Sequence, residues 1–127
     1  MDPQAEIFKA LGDETRLRIL HLLVSSESLC CCEITDSLKE RLYNISRHLK
    51  ILHHVGLVET RKEGKWTYYS LRKDGTFKQK LFETLASLEG ERFRRDHENL
   101  KERLALREGG KCVIGIDRMR KEERVES

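Results

Sequence analysis

The chain has one proline in 127 residues, and no apolar run reaches the roughly 18 residues that a membrane span needs. The single proline leaves helices uninterrupted, and 38% apolar residues suit one core of helices, so one compact domain is expected. The start, Met1-Asp2-Pro3-Gln4, lacks the basic and apolar regions of a secretion signal, which predicts a cytoplasmic protein with no membrane partner. Charge of one sign is scarce too. With 25 Lys+Arg against 22 Asp+Glu the net charge is only +3, so any case for a phosphate-rich partner must rest on where the charges lie. There is no internal repeat.

What is there is mostly helical periodicity. Ile7, Phe8 and Leu11 predict a short helix over 5–11, with Gly12 as its stop and Asp13 as the N-cap of a second helix over 14–24. On that second helix Leu17, Leu20, Leu23 and Val24 form the buried stripe, with Arg16 and Arg18 elsewhere. Two more short helices, 33–38 and 45–55, turn Ile34, Leu38, Ile45, Leu49 and Leu52 inward, and Gly56 ends the pair. From Leu57 the period becomes two, Glu63-Gly64 reads as a turn, and Trp66-Thr67-Tyr68-Tyr69 reads as a returning strand. Phe77, Leu81, Leu85 and Leu88, continued by Phe93, Leu100 and Leu104, describe a long amphipathic helix interrupted at Gly90, whose stripe calls for a partner. Residues 1–108 are thus expected to form the domain and 109–127 a flexible charged tail, closing with the charged run 118–126.

Two short helices followed by a basic hairpin form a winged helix-turn-helix, mainly α with a β-hairpin wing, in which the second helix enters the DNA major groove. Asn44, Arg47, His48 and Lys50 fall away from the Ile45/Leu49/Leu52 stripe as donors for base edges and phosphates, and Ser46 is placed on the backbone. Arg61, Lys62 and Lys65 surround the Gly64 turn, where a hairpin tip approaches phosphates or the minor groove. An isolated basic helix would be a solvated face; the helix pair with a basic wing makes double-stranded operator DNA the expected partner.

Four cysteines complete the inventory, three of them consecutive at Cys30-Cys31-Cys32 and the fourth at Cys112. In a reducing compartment, neighbours whose side chains diverge make a poor disulfide framework, so thiolate chemistry is expected instead. Neither a C-x-x-C pair nor a phosphate-loop cysteine is present, which argues against a thiol enzyme.

The segments Leu11-Gly12-Asp13-Glu14-Thr15-Arg16-Leu17-Arg18-Ile19-Leu20, Ile45-Ser46-Arg47-His48-Leu49-Lys50, Gly56-Leu57-Val58 and Gly64-Lys65-Trp66 resemble the ArsR/SmtB family of winged-helix metalloregulators over residues 5–95. The resemblance implies a homodimer held by its first and last helices, repressing an operator of two half-sites until an inducer binds. The connection 39–43 lacks the family's glycine and its Ser/Thr cap, which leaves Asn44 as candidate cap.

Leu29-Cys30-Cys31-Cys32-Glu33-Ile34 is similar to the cysteine box of the arsenic-responsive members, with Cys30 and Cys32 at its two cysteine positions. Side chains two apart diverge by about 200° on a helix and share a face only on extended backbone, so a shared ion is expected to unwind the helix start and thereby oppose DNA binding. A helix N-terminus lowers thiol pKa, and an all-sulfur set suits As(III) or Sb(III) as inducer, with cadmium or lead as competitors. The family's further cysteine is Thr35 here, so either the third thiolate falls to Cys31 or to Cys112, with Cys112 favoured because Cys31 points away when its neighbours converge, or the site has two sulfurs. Asp96 and His97 are adjacent with no histidine after them, unlike the family's zinc or nickel pattern, and His21, His53 and His54 read as surface or packing residues. A thiol redox or reactive-sulfur sensor on the same fold is the alternative, with Cys112 resolving an oxidised Cys30 or Cys31.

Overall fold

The computed structural model describes residues 2–116; the expected charged run at 118–126 lies outside them. The elements run α1 Pro3–Leu11, α2 Glu14–Val24, β1 Leu29–Cys30, α3 Cys31–Leu38, α4 Leu42–His54, β2 Val58–Glu63, β3 Trp66–Leu71, α5 Thr76–Ala86 and α6 Glu91–Leu104. Capping sets the first two boundaries. Asp2 accepts the N–H groups of Gln4 and Ala5, and Asp13 Oδ1 accepts the Arg16 N–H at 3.0 Å. Among the described residues no helix is long and apolar enough to cross a membrane.

The core forms where α2, α3 and α4 meet the base of the hairpin. Ile34, Leu38, Ile45, Leu49 and Leu52 are all buried there, as their spacing predicts. On α2 the expected stripe is too narrow: Ile19 and Leu22 are also fully buried, Leu17 and Val24 are only partly so, and Arg18 is buried as well. The reason is α6. It lies against α2 and α3 of its own chain, and Arg18 donates to both carboxylate oxygens of Asp96 at 2.8 Å.

The long last helix is in fact two. Backbone at Gly90, with φ 152°, is where α6 starts anew, and α6 then turns back along α3. Two further ion pairs fasten it, Arg103 to Asp36 at 2.8 Å and Arg107 to Glu33 at 2.6 Å, and Asn99 donates to the Ser37 carbonyl at 2.9 Å. The apolar stripe expected to need another chain is therefore largely covered within this one: Leu85 and Leu100 are buried, while Phe77 stays exposed beside the more exposed Phe8, their rings 5.9 Å apart.

The reader pair begins earlier than its apolar pattern suggests. α4 starts at Leu42, so Asn44 sits in its first turn and is not the cap; Arg41 holds that position without a side-chain hydrogen bond. Lys39 takes the left-handed conformation, φ 57°, that a glycine would adopt more readily. The hairpin closes as expected, Glu63 opposite Trp66 with Gly64 at φ 60° in the two-residue turn. An unexpected third strand, Leu29–Cys30, pairs antiparallel with β3, giving the order β1-β3-β2 and setting Cys30 opposite Tyr68.

Candidate thiol site and nucleic-acid interface

On α4, Arg47 and Lys50 are exposed and Asn44 and Ser46 half-buried, a set turned away from the core as the spacing predicts. His48 departs from it. The ring is only 8% exposed, and its Nδ1 lies 3.0 Å from Arg16 Nη1 and 4.0 Å from Asp13 Oδ1. Burial lowers its pKa against the pull of Asp13, with the nearby Arg16 and Arg47 charges adding smaller shares in the same direction as burial, so the neutral imidazole accepts from Arg16. His48 is thus a bolt between α2 and α4 and not a base-reading donor. The periodicity overlooked Tyr43, 77% exposed at the start of α4. In the wing, Arg61, Lys62 and Lys65 are exposed; Arg61 lies 3.2 Å from Glu63 and Lys65 stands over the Trp66 ring at 5.0 Å.

The cysteines are set by the start of α3. Cys30 is its N-cap, with extended backbone at φ −82° and ψ 161°, and only Cys31 onwards is helical. Two residues apart across a cap differ from two apart on a helix, and Cys32 packs against the buried cluster of Cys30, Tyr68 and Cys112 while α3 stays intact. Cys31 points into the main core.

Cys112 completes the cluster. Its Sγ lies 3.0 Å from Cys30 Sγ, its N–H donates to the Tyr68 hydroxyl at 2.8 Å, and it is 2% exposed. The boundary expected at 108/109 is thus crossed by packed chain: Glu108 and Lys111 pair through their backbones, and Arg103 donates to the carbonyls of Ile114 and Gly115. Glu33, three residues after the cap, accepts the Cys30 N–H at 3.0 Å, and its carboxylate and the two sulfurs lie within 4.8 Å of one another.

Protonation divides the thiols. Cys30 is pushed far up, by the neighbouring Cys32 first and by burial second; Cys112 is pushed up to about 12, by burial first and by its contact with Cys30 second. Burial raises Cys31 to about 11. Cys32 alone is lowered, by the neighbouring Cys30 thiol first, with the Arg103 charge adding a smaller share. The general lowering expected at a helix N-terminus is confined to that one sulfur. Burial pushes Glu33 upward, yet its bonds from Arg107 and the Cys30 N–H prevail and keep it ionised.

Sequence comparison bears on these elements directly. Residues 13–60 match the family described as bacterial regulatory protein, arsR family. An uncharacterised HTH-type transcriptional regulator of Methanocaldococcus jannaschii is 53% identical over 70 residues, covering 55% of this chain and 79% of that protein. The chain belongs to the arsR family of bacterial regulatory proteins. This arsR-family protein is accordingly a winged-helix transcriptional regulator and not an enzyme. It is also 46% identical over 66 residues to the arsenical resistance operon repressor of Escherichia coli, covering 52% of this chain and just over half, 56%, of that repressor. The solution structure of a homodimeric winged helix-turn-helix DNA-binding domain from Mycobacterium bovis superposes with a TM-score of 0.59 at 33% identity, covering 66% of this chain and 75% of that one.

His21, read as a surface or packing residue, packs between α2 and α6: its Nδ1 lies 2.7 Å from His97 Nε2, while its Nε2 faces the Leu88 carbonyl at 3.0 Å. Sequence reasoning missed Tyr68, Arg103 and Arg107 as neighbours of the thiols. Only Glu33 left a signal, the capping spacing after Cys30.

Proposed function

We propose that this regulator is a homodimeric repressor that leaves its operator when Cys30, Cys32 and Cys112 take up a trivalent thiophilic ion, As(III) or Sb(III), with cadmium and lead as competitors. The observation that carries this reading is the 3.0 Å approach of Cys112 to Cys30 at the cap of α3, with Cys32 packed against the same pair. Three soft sulfurs suit a three-coordinate soft ion, whereas zinc usually takes four ligands and often histidine. Ionised Glu33 is neutralised by Arg107, and Asp36 by Arg103, so three thiolates balance a trivalent ion without residual charge. Cys31 has no part in the set.

DNA contacts fall to Arg47 and Lys50 with Asn44 and Ser46 on α4, and to Arg61, Lys62 and Lys65 on the wing. α3 is the first helix of the reader pair, and its cap strand pairs with the wing, so ion and operator act on one assembly and oppose one another reciprocally, typically by about 1–3 kcal/mol. The homodimer is held through α1 and α5, where Phe8 and Phe77 stand exposed together.

The test is arsenite titration of the protein bound to an operator selected from random duplexes. Release is expected for the wild type and lost in Cys32→Ser; a wild type that holds DNA at saturating arsenite sinks the reading. The same sulfur–sulfur approach favours a second reading, in which peroxide oxidises Cys30 and Cys112 to a disulfide and is itself reduced to water. A protein that releases DNA and loses two hydrogens under peroxide, yet ignores arsenite, would establish that reading instead.

A further inference from the structure

Tyr68 stands where the wing and the thiols meet. In the middle strand it lies opposite Cys30 on β1 and opposite Arg61 on β2, and it is 3% exposed. The ring has the Arg61 guanidinium 5.3 Å from its centroid and that of Arg107 at 5.9 Å. The hydroxyl accepts the Cys112 N–H.

The approach to Cys112 explains why that bond matters. Chain leaving α6 turns at 108–111, with Gly109 and Gly110 at positive φ of 61° and 74°, and the backbone pair of Glu108 with Lys111 closes the turn. Such a turn is adaptable and does not by itself fix where the next residue goes. The Tyr68 hydroxyl, buried and rigidly mounted on β3, holds the backbone of Cys112 at the place from which its sulfur reaches Cys30. We infer that Tyr68 is a positioning residue of the sensor: it delivers the third sulfur from the C-terminal segment and makes the wing strand part of the thiol site. This rests on the three-sulfur reading above and adds to it a residue outside the cysteine box.

Tyr68→Phe removes the hydroxyl and keeps the ring, its packing and both guanidinium contacts. Cys112→Ser is measured beside it. Without any ion, alkylation followed by peptide mass spectrometry is expected to label Cys112 about tenfold faster in Tyr68→Phe, the loss of roughly one buried hydrogen bond, with Cys31 unchanged. With arsenite, the ultraviolet sulfur-to-arsenic band of Tyr68→Phe is expected to fall to that of Cys112→Ser, while operator affinity without inducer stays within about twofold.

Wild-type labelling and a wild-type band in Tyr68→Phe would overturn the inference. Faster labelling of all the cysteines would also overturn it, because that marks a general loosening. If wild type takes up no arsenite but Tyr68→Phe still exposes Cys112 selectively, the positioning stands and the proposed inducer falls. If Cys112→Ser keeps the full band, there is no third sulfur to position and both fall.

Discussion

At the scale of single residues, proton accounting separates the candidate inducers. Cys32 is the thiol with lowered pKa, whereas Cys30 and Cys112 keep their protons at neutral pH. Arsenous acid brings three hydroxyls that leave as water, taking the two thiol protons and, where Cys32 is already a thiolate, one more from solvent. A divalent cation brings none, so the two protons are released. Arsenite uptake should therefore be flat below the Cys32 pKa and weaken above it by up to about tenfold per pH unit. Cadmium uptake should strengthen there by up to about a hundredfold per unit. Binding titrations at a series of pH values check this; arsenite affinity that falls by much more than tenfold per unit would mean that Cys30 and Cys112 are not protonated as described. At the same scale, His48 shows how one contact changes a role. Its position in the helix turns it outward on average, yet Arg16 and Asp13 from α2 enclose it.

At the scale of elements, α4 and the wing should divide specificity from affinity. Arg47→Ala should weaken binding to the selected operator by about 1–3 kcal/mol with little change on random duplex. Lys65→Ala should lower affinity on every sequence and reduce the salt slope by about one. Fluorescence anisotropy over a salt series measures both, and an Arg47→Ala protein that binds its operator unchanged would displace α4 from the groove. The attachment of α6 is a separate matter, resting on buried ion pairs. Removing one partner strands the other charge, so Arg18→Met should cost about 3–5 kcal/mol in urea unfolding. Arg18→Met with Asp96→Leu should recover most of that loss. A single variant as stable as wild type would show that α6 does not depend on this contact.

For the whole molecule, α6 changes what is left to assemble. Its apolar positions are largely used within the chain, so the proposed homodimer makes its contact through Phe8 and Phe77. Phe8→Glu should shift the protein to monomer in sedimentation at micromolar concentration, while circular dichroism keeps its helix content. A dimer that survives the charge would move the contact elsewhere. Dimer and operator affinity should fall together, because two half-sites need two readers at fixed spacing.

By itself the sequence determined the order of helices, the hairpin with its Gly64 turn, the core positions of α3 and α4, and the cysteines as the chemically distinctive group. Each depends on neighbours a few residues apart, through helical period, alternation or capping, and such signals survive without knowledge of the fold. Tertiary structure alone decided that Arg18 is buried, that His48 faces inward, that His21 meets His97, and that Cys112 joins Cys30 through Tyr68. Those contacts join residues 32 to 82 positions apart in the chain. No periodic pattern encodes them, because they arise only when distant elements pack: α2 against α4 brings Arg16 to His48, and α6 folded back along α2 and α3 brings the others, a docking fixed by buried charge pairs whose members look, along the sequence, like any other surface Arg, Asp or Glu.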